Sequence, residues 1–227
     1  MTVFQLTDNI IFPPAHLADD NGLLAVGGDL SSERLKLAYE MGIFPWYSED
    51  DPILWWAPDP RLVLFPSKLK ISRSLRKIIK KDQFKITLNN SFEEVINSCA
   101  EIRIKEDEDT WILDEMQHAY IKLHEKGLAH SVEAWLNGEL VGGLYGVSLG
   151  KVFFGESMFS TVSNASKVAF TKFVNFLSEN SFDIIDCQVK TDHLSSLGAE
   201  EISRAQFLKI INQSTQKPFF FDRKTTI

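Results

Sequence analysis

The order of apolar and polar positions along the first third of the chain predicts two helices separated by a loop. Residues 31–41 have helical periodicity, with Ser31 placed to cap the amino end and Gly42 placed to end the helix. Residues 42–61 hold four prolines and three tryptophans. Proline this dense predicts an ordered loop without regular structure, fixed by its aromatic side chains. Residues 67–81 return to a helical pattern.

The remaining two-thirds of the chain predicts a mixture of helices and an antiparallel meander. A Ser91–Glu94 capping box opens one helix, and Asn137-Gly138 marks a two-residue hairpin turn. The pattern predicts strands at 84–88, 130–136, 139–147, 152–154 and 183–189, and helices at 91–100, 111–126, from about 163, and 203–211. This order predicts an α+β fold.

The predicted hairpin over residues 140–160 contains more glycine than is usual in a strand. Glycines at 142, 143, 146 and 155 weaken a strand unless a second backbone or a ligand approaches closely. Glu156 follows directly, a carboxylate set among hydrophobic residues. We therefore expect a ligand-binding site at this hairpin.

The strand at 183–189 places a second acid in apolar surroundings. Alternation puts Asp186 and Gln188 on one face, where they can hydrogen-bond a common partner. The alternative is a buried aspartate that is satisfied by the neighbouring backbone or by a structural ion pair. Two acids in buried contexts, Glu156 and Asp186, favour a functional role over the structural one.

Composition places the chain among soluble globular proteins of one or two domains. It has 227 residues, 44% of them hydrophobic and 24% charged. There is no apolar run of about 18 residues, so no membrane span is expected, and the first residues do not resemble a signal peptide. Cys99 and Cys187 are far apart and lack metal-ligand spacing. A reducing cytoplasm fits these features.

Charge is segregated along the chain. The net charge is −7, yet residues 68–85 contain eight Lys or Arg and one acid. Such a basic strip is either the solvated face of a helix or a contact for phosphates. The tryptophans of the proline-rich loop are open to two interpretations as well, because they either hold the loop down or present a flat face to a nucleobase.

Several families of enzymes are excluded by missing motifs. The chain has no H-E-x-x-H, no G-x-S-x-G, no Walker A loop and no G-x-G-x-x-G. It also lacks the Gly-rich pyrophosphate loop of an acetyl-CoA enzyme. We therefore expect no metal and no cofactor.

A set of motifs in order along the chain closely resembles the leucyl/phenylalanyl-tRNA–protein transferase family. The resemblance covers about residues 21–203. The motifs are GLLAVGGDLS, GIFPWYS, DPILWWAPDPR, ISRS, TWI, AHSVEAW, LVGGLYGV, FGESMFS, NASK, IDCQ and SLGAEEI.

The resemblance implies a cytoplasmic aminoacyltransferase. It would move Leu, Phe or Met from aminoacyl-tRNA to proteins with N-terminal Arg or Lys and mark them for degradation by the N-degron pathway. The implied architecture is a small N-terminal domain over residues 1–66 and a domain over 67–227 like the GCN5-related N-acetyltransferases, with a mostly antiparallel sheet flanked by helices. We expect a monomer.

The resemblance also assigns roles to individual residues. Asp186 and Gln188 would be the catalytic pair, Trp46 and Trp111 would contact the terminal adenosine, and Glu156 would lie at the mouth of the donor pocket. The pocket for the donor side chain would be formed by Leu144, Phe153, Met158, Phe170, Phe173, Leu177 and Ile185. The tRNA-contacting cluster would comprise Arg76, Lys77, Lys80 and Lys81.

Two other functions are weighed against this one. An acyl-CoA-dependent N-acetyltransferase is disfavoured by the missing pyrophosphate loop. A tRNA- or degron-binding module without catalysis would explain the tryptophans and the basic strip. It would leave the paired acids unexplained.

Overall fold

The computed structural model describes residues 3–105, 112–222 and 224–227. Near the amino end the chain forms a small sheet in the order β1-β2-β4-β3, accompanied by one helix. Its elements are β1 (Phe4–Leu6), β2 (Leu23–Gly27), α1 (Ser32–Glu40), β3 (Phe44–Pro45) and β4 (Leu54–Trp56).

The proline-rich segment contains regular structure, so the expectation of a loop without any was wrong. Its two short strands, β3 and β4, pair with each other in antiparallel fashion. Pro45 is tolerated because β3 is the edge strand of the small sheet. The expected anchoring by aromatic residues is confirmed, since Trp55 is fully buried and its Nε1 donates to Gly27 O at 2.8 Å.

A larger sheet of eight strands forms the rest of the molecule. The strand order is β11-β5-β10-β9-β8-β7-β6-β12, and among the described residues of this sheet only β9 and β10 are parallel neighbours. The strands are β5 (Arg61–Leu64), β6 (Lys85–Leu88), β7 (Ala129–Leu136), β8 (Glu139–Leu149), β9 (Val152–Ser160), β10 (Ile184–Gln188), β11 (Glu200–Ile202) and β12 (Thr225–Thr226).

Helices cover both faces of the larger sheet. On one face α5 packs on β7 and β8 and α2 packs on α5; on the other, α3 packs on β7–β9. Each face has its own hydrophobic core, because neighbouring residues such as Phe153 and Phe154 of β9 enter different clusters. The helices are α2 (Arg73–Lys80), α3 (Phe92–Lys105), α4 (Asp114–Glu125), α5 (Ala165–Glu179), α6 (Asp192–Ser196) and α7 (Arg204–Ser214).

The predicted α+β class is confirmed by this arrangement of an antiparallel sheet flanked by helices. Local signals were accurate where they were strongest. Ser31 and Ser203 cap α1 and α7 through their side chains, and Asn137-Gly138 forms the β7–β8 turn with φ of 54° and 88°. The helix predicted for 91–100 continues to Lys105.

The glycines of β8 allow neighbouring elements to pack closely against this strand, as the sequence indicated. A Cβ on Gly142 would lie 2.7 Å from Ala165 Cβ, so α5 rests directly on this strand. A Cβ on Gly146 would lie 2.2 Å from Phe154 O of the paired strand. Backbone and helix packing therefore require both glycines.

The division into domains at residues 66 and 67 stays a prediction. The strand β5 precedes that boundary by two residues and pairs with β10 and β11 of the larger sheet. Within the residues that the structure describes, no helix has the length and apolarity needed to cross a membrane.

Candidate active site

A cavity of about 620 Å³ lies between the two sheets and the amino-terminal half of α5. Residues from the proline-rich segment, β8, β9, β10 and α6 meet around it. The lining residues include Phe44, Trp46, Leu144, Tyr145, Phe153, Glu156, Ser157, Met158, Phe170, Ile185, Asp186, Cys187, Gln188, His193 and Leu194. The structure thus brings the Gly-rich hairpin and the 183–189 strand to one place.

One end of the cavity is apolar. Five of the seven residues expected to hold the donor side chain line it: Leu144, Phe153, Met158, Phe170 and Ile185. Phe173 and Leu177 do not line the cavity but lie fully buried in the core behind it. Phe173 supports the wall through an edge-to-face contact with Phe153, at 4.7 Å between ring centroids.

Asp186 is held in a buried ion pair. Arg61 of β5 donates to both carboxylate oxygens, from Nε at 2.8 Å and from Nη2 at 2.6 Å, and both side chains are 1% exposed. The guanidinium lies between the rings of Phe44 and Phe207, 4.6 and 4.7 Å from their centroids. The charge of Asp186 is therefore neutralised inside the protein.

Gln188 lies at a bulge where the β10–β5 register shifts, and its φ is 62°. Its backbone N–H donates to Asp186 Oδ1 at 2.9 Å, which holds this unusual conformation. Its side-chain Nε2 donates to Glu156 Oε1 at 3.1 Å. Asp186 and Gln188 thus have different side-chain partners rather than a common one. The Gln188 Oε1 acceptor is left without a partner among the described residues.

Glu156 is buried, with 8% of its surface exposed. Tyr39 of α1 donates to Oε1 at 2.8 Å, and Tyr120 of α4 to Oε2 at 3.0 Å. Burial raises the pKa of Glu156 to about 7, against the effect of the two hydroxyl groups, and nearby Asp186 raises it further. Glu156 therefore titrates near neutral pH.

Ser157, Cys187 and His193 are among the other polar residues that line the cavity. Ser157 Oγ and His193 Nε2 are buried and have no hydrogen-bond partner among the described residues. Burial and nearby Lys167 lower the pKa of His193, which keeps it neutral. Burial raises the pKa of the Cys187 thiol well above its ordinary value, so it is a poor nucleophile.

The two tryptophans expected at the terminal adenosine have different outcomes. Trp46 lines the cavity and is 46% exposed, with its ring 5.7 Å from that of Trp56. The Trp56 Nε1 donates to Trp46 O at 2.6 Å, which fixes the loop. Trp111 lies outside the described residues.

The basic strip forms one exposed face of α2 and its carboxyl end. Arg76, Lys77, Lys80 and Lys81 are all exposed, and among the described side chains none of them forms an ion pair. Leu75 anchors the opposite face of α2 in the core. The helix α2 packs on α5, whose Phe170 lines the cavity.

Sequence reasoning missed Arg61, Tyr39 and Tyr120. Arg61 is the first residue of an otherwise apolar, buried strand, and an arginine in such a position needs a buried partner. Tyr39 follows Leu35 and Ala38 on the buried face of α1. Both signals indicate burial, but neither indicates the partner.

Fold and cavity together define a class of protein. An α+β domain with a cavity that is apolar at one end and carries a carboxyl and an amide at the other suits an acyl-group transferase. Among the described residues, no group of three or more His, Cys, Asp or Glu could hold a metal ion.

Comparison with known proteins gives the particular family. The model of the leucyl/phenylalanyl-tRNA protein transferase family matches residues 63–212, and the model of its N-terminal domain matches 28–59. The chain belongs to the leucyl/phenylalanyl-tRNA–protein transferase family. It is therefore an enzyme of the class that transfers an aminoacyl group from tRNA to protein.

Curated relatives of the same name are similar over nearly their whole length. The protein from Syntrophobacter fumaroxidans is 58% identical over 94% of this chain and 92% of its own. The one from Flavobacterium johnsoniae is 54% identical over 92% and 99%.

Two of the solved structures that resemble the chain are acetyltransferases. A GCN5-related N-acetyltransferase from Kribbella flavida has a TM-score of 0.36 at 13% identity, covering 74% of this chain and 60% of its own. An aminoglycoside acetyltransferase from a soil metagenome has a TM-score of 0.39 at 15% identity, covering 63% and 95%.

Proposed function

We propose that this transferase moves Leu, Phe and Met from aminoacyl-tRNA to proteins with N-terminal Arg or Lys, which marks those proteins for degradation through the N-degron pathway. The observation that carries the proposal is the cavity, in which an apolar slot lies beside the Glu156 carboxyl and the Gln188 amide. We further propose that the enzyme acts in the cytoplasm as a monomer, with a small N-terminal domain before residue 67.

The donor side chain occupies the apolar end in this proposal. Leu144, Phe153, Met158, Phe170 and Ile185 offer no hydrogen-bonding side chain there, so selection is by size and shape. One methylene is worth only about 1–3 kcal/mol in such a pocket, so overlapping use of Leu, Phe and Met is expected. Val and Ile, which branch next to the backbone, should be poorer donors.

The acceptor chain end binds at the polar end. Because Arg61 neutralises Asp186, that carboxylate is not free to attract the cationic acceptor. Glu156 is the carboxyl left to attract it, because it has no cationic partner among the described side chains. A carboxyl without a cationic partner favours Arg or Lys over neutral residues.

The reaction is aminolysis of the aminoacyl ester. The acceptor nitrogen attacks the ester carbonyl carbon, the amide C–N bond forms, and the bond to the ribose oxygen breaks as that oxygen takes a proton. An α-amino group has a pKa of about 7.7–8.0, so on the order of a tenth is neutral near pH 7. Holding the reactants in attack geometry can supply about 7–11 kcal/mol, more than a general base supplies.

Gln188 is the residue that contacts the incoming amine in this mechanism. Its Nε2 is engaged by Glu156, which leaves Oε1 to accept a hydrogen bond from the amine N–H. Asp186 accepts from the Gln188 backbone N–H and thereby fixes its position. Asp186 is a positioning residue rather than a base, since Arg61 already engages both of its oxygens.

Nucleic-acid contacts come from Trp46 and α2. Trp46 is half-exposed at the cavity edge, where it can stack on the terminal adenosine, and we propose that Trp111 does so as well. Arg76, Lys77, Lys80 and Lys81 would contact phosphates. The combined change of Lys80 and Lys81 to Ala should reduce the slope of log K against log salt by up to about 2.

Two exposed lysines outside α2 provide a matched control for the salt experiment. Changing Lys36 and Lys126 to Ala removes the same charge from exposed lysines that pair with Glu40 and Glu33. The slope should stay as in the wild type. An equal loss of slope in both double variants would contradict the assignment of α2.

One assay separates the candidate functions. The protein is incubated with radiolabelled Leu-tRNA and a peptide that begins with Arg, and the label in the peptide is measured. Transfer that falls for an Ala-starting peptide and for Ile-tRNA supports the proposal. Acetylation of the peptide by acetyl-CoA, or binding of Leu-tRNA without transfer, would refute it.

A further inference from the structure

Glu156, Tyr39 and Tyr120 form a closed ring of buried polar groups. Tyr39 Oη lies 2.8 Å from Glu156 Oε1, and Tyr120 Oη lies 3.0 Å from Glu156 Oε2. The two hydroxyl oxygens are also in hydrogen-bond contact with each other. All three residues are buried, and they come from β9, α1 and α4. Three contacts between oxygen atoms therefore need three hydrogen atoms.

The number of hydrogens depends on the state of the carboxyl group. If Glu156 is ionised, the ring holds only the two tyrosine hydrogens, and one of the three contacts sets lone pair against lone pair. If Glu156 is protonated, its hydrogen completes the ring: the carboxyl O–H donates to one tyrosine hydroxyl, that hydroxyl donates to the other, and the other donates to the second carboxyl oxygen. One of the two tyrosine–carboxyl hydrogen bonds then runs from Glu156 to the tyrosine. The geometry is satisfied in full only by the neutral acid.

The surroundings offer nothing to balance a negative charge at this point. Gln188 donates one N–H from its amide, and the Asp186 carboxylate nearby is already neutralised by Arg61. The third tyrosine on this side, Tyr145, packs edge-on against Tyr120, at 5.6 Å between ring centroids. Among the described residues, no Lys, Arg or His contacts Glu156. Burial also favours the neutral acid, since it raises the pKa of Glu156 to about 7.

We infer that burial holds Glu156 as a neutral acid while the site is empty, with Tyr39 and Tyr120 as positioning residues that complete its hydrogen-bond ring, and that binding of the cationic acceptor releases this proton. The second half of the inference rests on the proposed function. In this step the Glu156 O–H bond breaks and the proton leaves to solvent. The carboxylate then accepts hydrogen bonds from the acceptor ammonium group and from the tyrosine hydroxyls. The enzyme thus binds its acceptor in exchange for a proton.

The protonation state is measured first, without any substrate. Infrared spectra of the wild type at about pH 6 should show the carbonyl stretch of a protonated carboxyl, and this band should be absent from Glu156→Gln. As pH rises, the band should disappear with a midpoint near pH 7. In Tyr39→Phe/Tyr120→Phe the midpoint should rise, because only Gln188 would remain to stabilise the ionised form. The control is Tyr47→Phe, which removes a tyrosine–carboxyl contact with Glu115 and should leave the midpoint unchanged.

Two results would overturn the ring. One is a wild-type spectrum identical to that of Glu156→Gln at about pH 6, since Glu156 would then be ionised in the empty site. The other is an unshifted midpoint in the double tyrosine variant, since the hydroxyls would then not control the carboxyl. Neither measurement depends on transfer activity, so both stand apart from the proposed function.

The exchange of proton for acceptor is measured by calorimetry. An Arg-starting peptide is titrated at about pH 6 into the wild type in two buffers of different ionisation enthalpy. The difference between the binding enthalpies in the two buffers should correspond to release of about one proton, and Glu156→Gln should release none. Binding without proton release, in a protein whose infrared spectrum shows the acid, would refute the exchange and leave the ring intact. Absence of binding would refute the proposed acceptor site.

Discussion

Breaking the buried pair between Arg61 and Asp186 should be costly for folding. In Asp186→Asn the side chain keeps its size, but a guanidinium group that is 1% exposed loses its counter-charge. Removal of one partner from a buried pair typically costs about 3–5 kcal/mol, which is a large part of the roughly 5–15 kcal/mol of a whole domain. We expect a loss of this size in the free energy of unfolding.

Urea unfolding, followed by tryptophan fluorescence and far-ultraviolet circular dichroism, measures this loss. Arg61→Met should cost a similar amount, since it leaves the carboxylate alone. The double variant Arg61→Met/Asp186→Asn should cost at least about 2 kcal/mol less than the sum, because no unpaired charge remains. Glu201→Gln is the control, since it breaks a pair with Lys190 in which the side chains are 60% (Lys190) and 36% (Glu201) exposed. It should cost no more than about 1 kcal/mol.

Single-turnover transfer from pre-charged tRNA tests the catalytic side of the same pair. If Asp186 only positions Gln188, folded Asp186→Asn should lose less than about 10⁴-fold in rate. A loss beyond about 10⁵-fold would show an essential base and refute the positioning role. Additive stability losses in the double variant would refute the coupling between the two side chains.

Three further predictions concern stability. The free energy of unfolding of the wild type relative to Glu156→Gln should fall by about 3 kcal/mol as pH rises from 4.5 to above 7. The reason is that the native state keeps a proton that the unfolded chain releases. A difference that stays constant across this pH range would contradict the raised pKa of Glu156. His130 should have the opposite effect of pH on stability, because burial lowers its pKa to about 3. The free energy of unfolding should therefore fall by up to about 5 kcal/mol as pH drops below 6.5. In denaturant titrations, His130→Gln should abolish that loss. Gly146→Ala should cost about 1–3 kcal/mol, since its Cβ would lie 2.2 Å from a carbonyl oxygen, whereas the Cβ of Gly155→Ala would lie 3.4 Å from the Asp186 O; equal midpoints in urea would contradict the packing argument.

Elements with local signals could be predicted from the sequence almost to their ends. The caps Ser31 and Ser203 and the Asn137-Gly138 turn depend on neighbours within a few residues, so their geometry is contained in the local sequence. The proline-rich segment was misjudged because β4 is stabilised by pairing with β2, which lies about thirty residues earlier, and β3 pairs with β4 in turn.

The site itself was predictable only in part. The acids and the glycines of the hairpin could be recognised as unusual, because a carboxylate or a glycine in an apolar strand needs a reason. Five of the seven residues expected to hold the donor side chain line the cavity, whereas Phe173 and Leu177 lie behind it. Hydrophobicity marks both groups as buried and does not distinguish the wall of a cavity from the core.

The sequence alone determined the class of fold, the helix starts capped by Ser31 and Ser203 and the existence of two acids in apolar surroundings. Only the tertiary structure decided what each acid does. Arg61 and Asp186 lie 125 positions apart, and Tyr39 lies 117 positions from Glu156. Such contacts depend on the register and packing of distant elements, which no local pattern specifies. The packing neutralises Asp186 and surrounds Glu156 with two tyrosine hydroxyls and an amide.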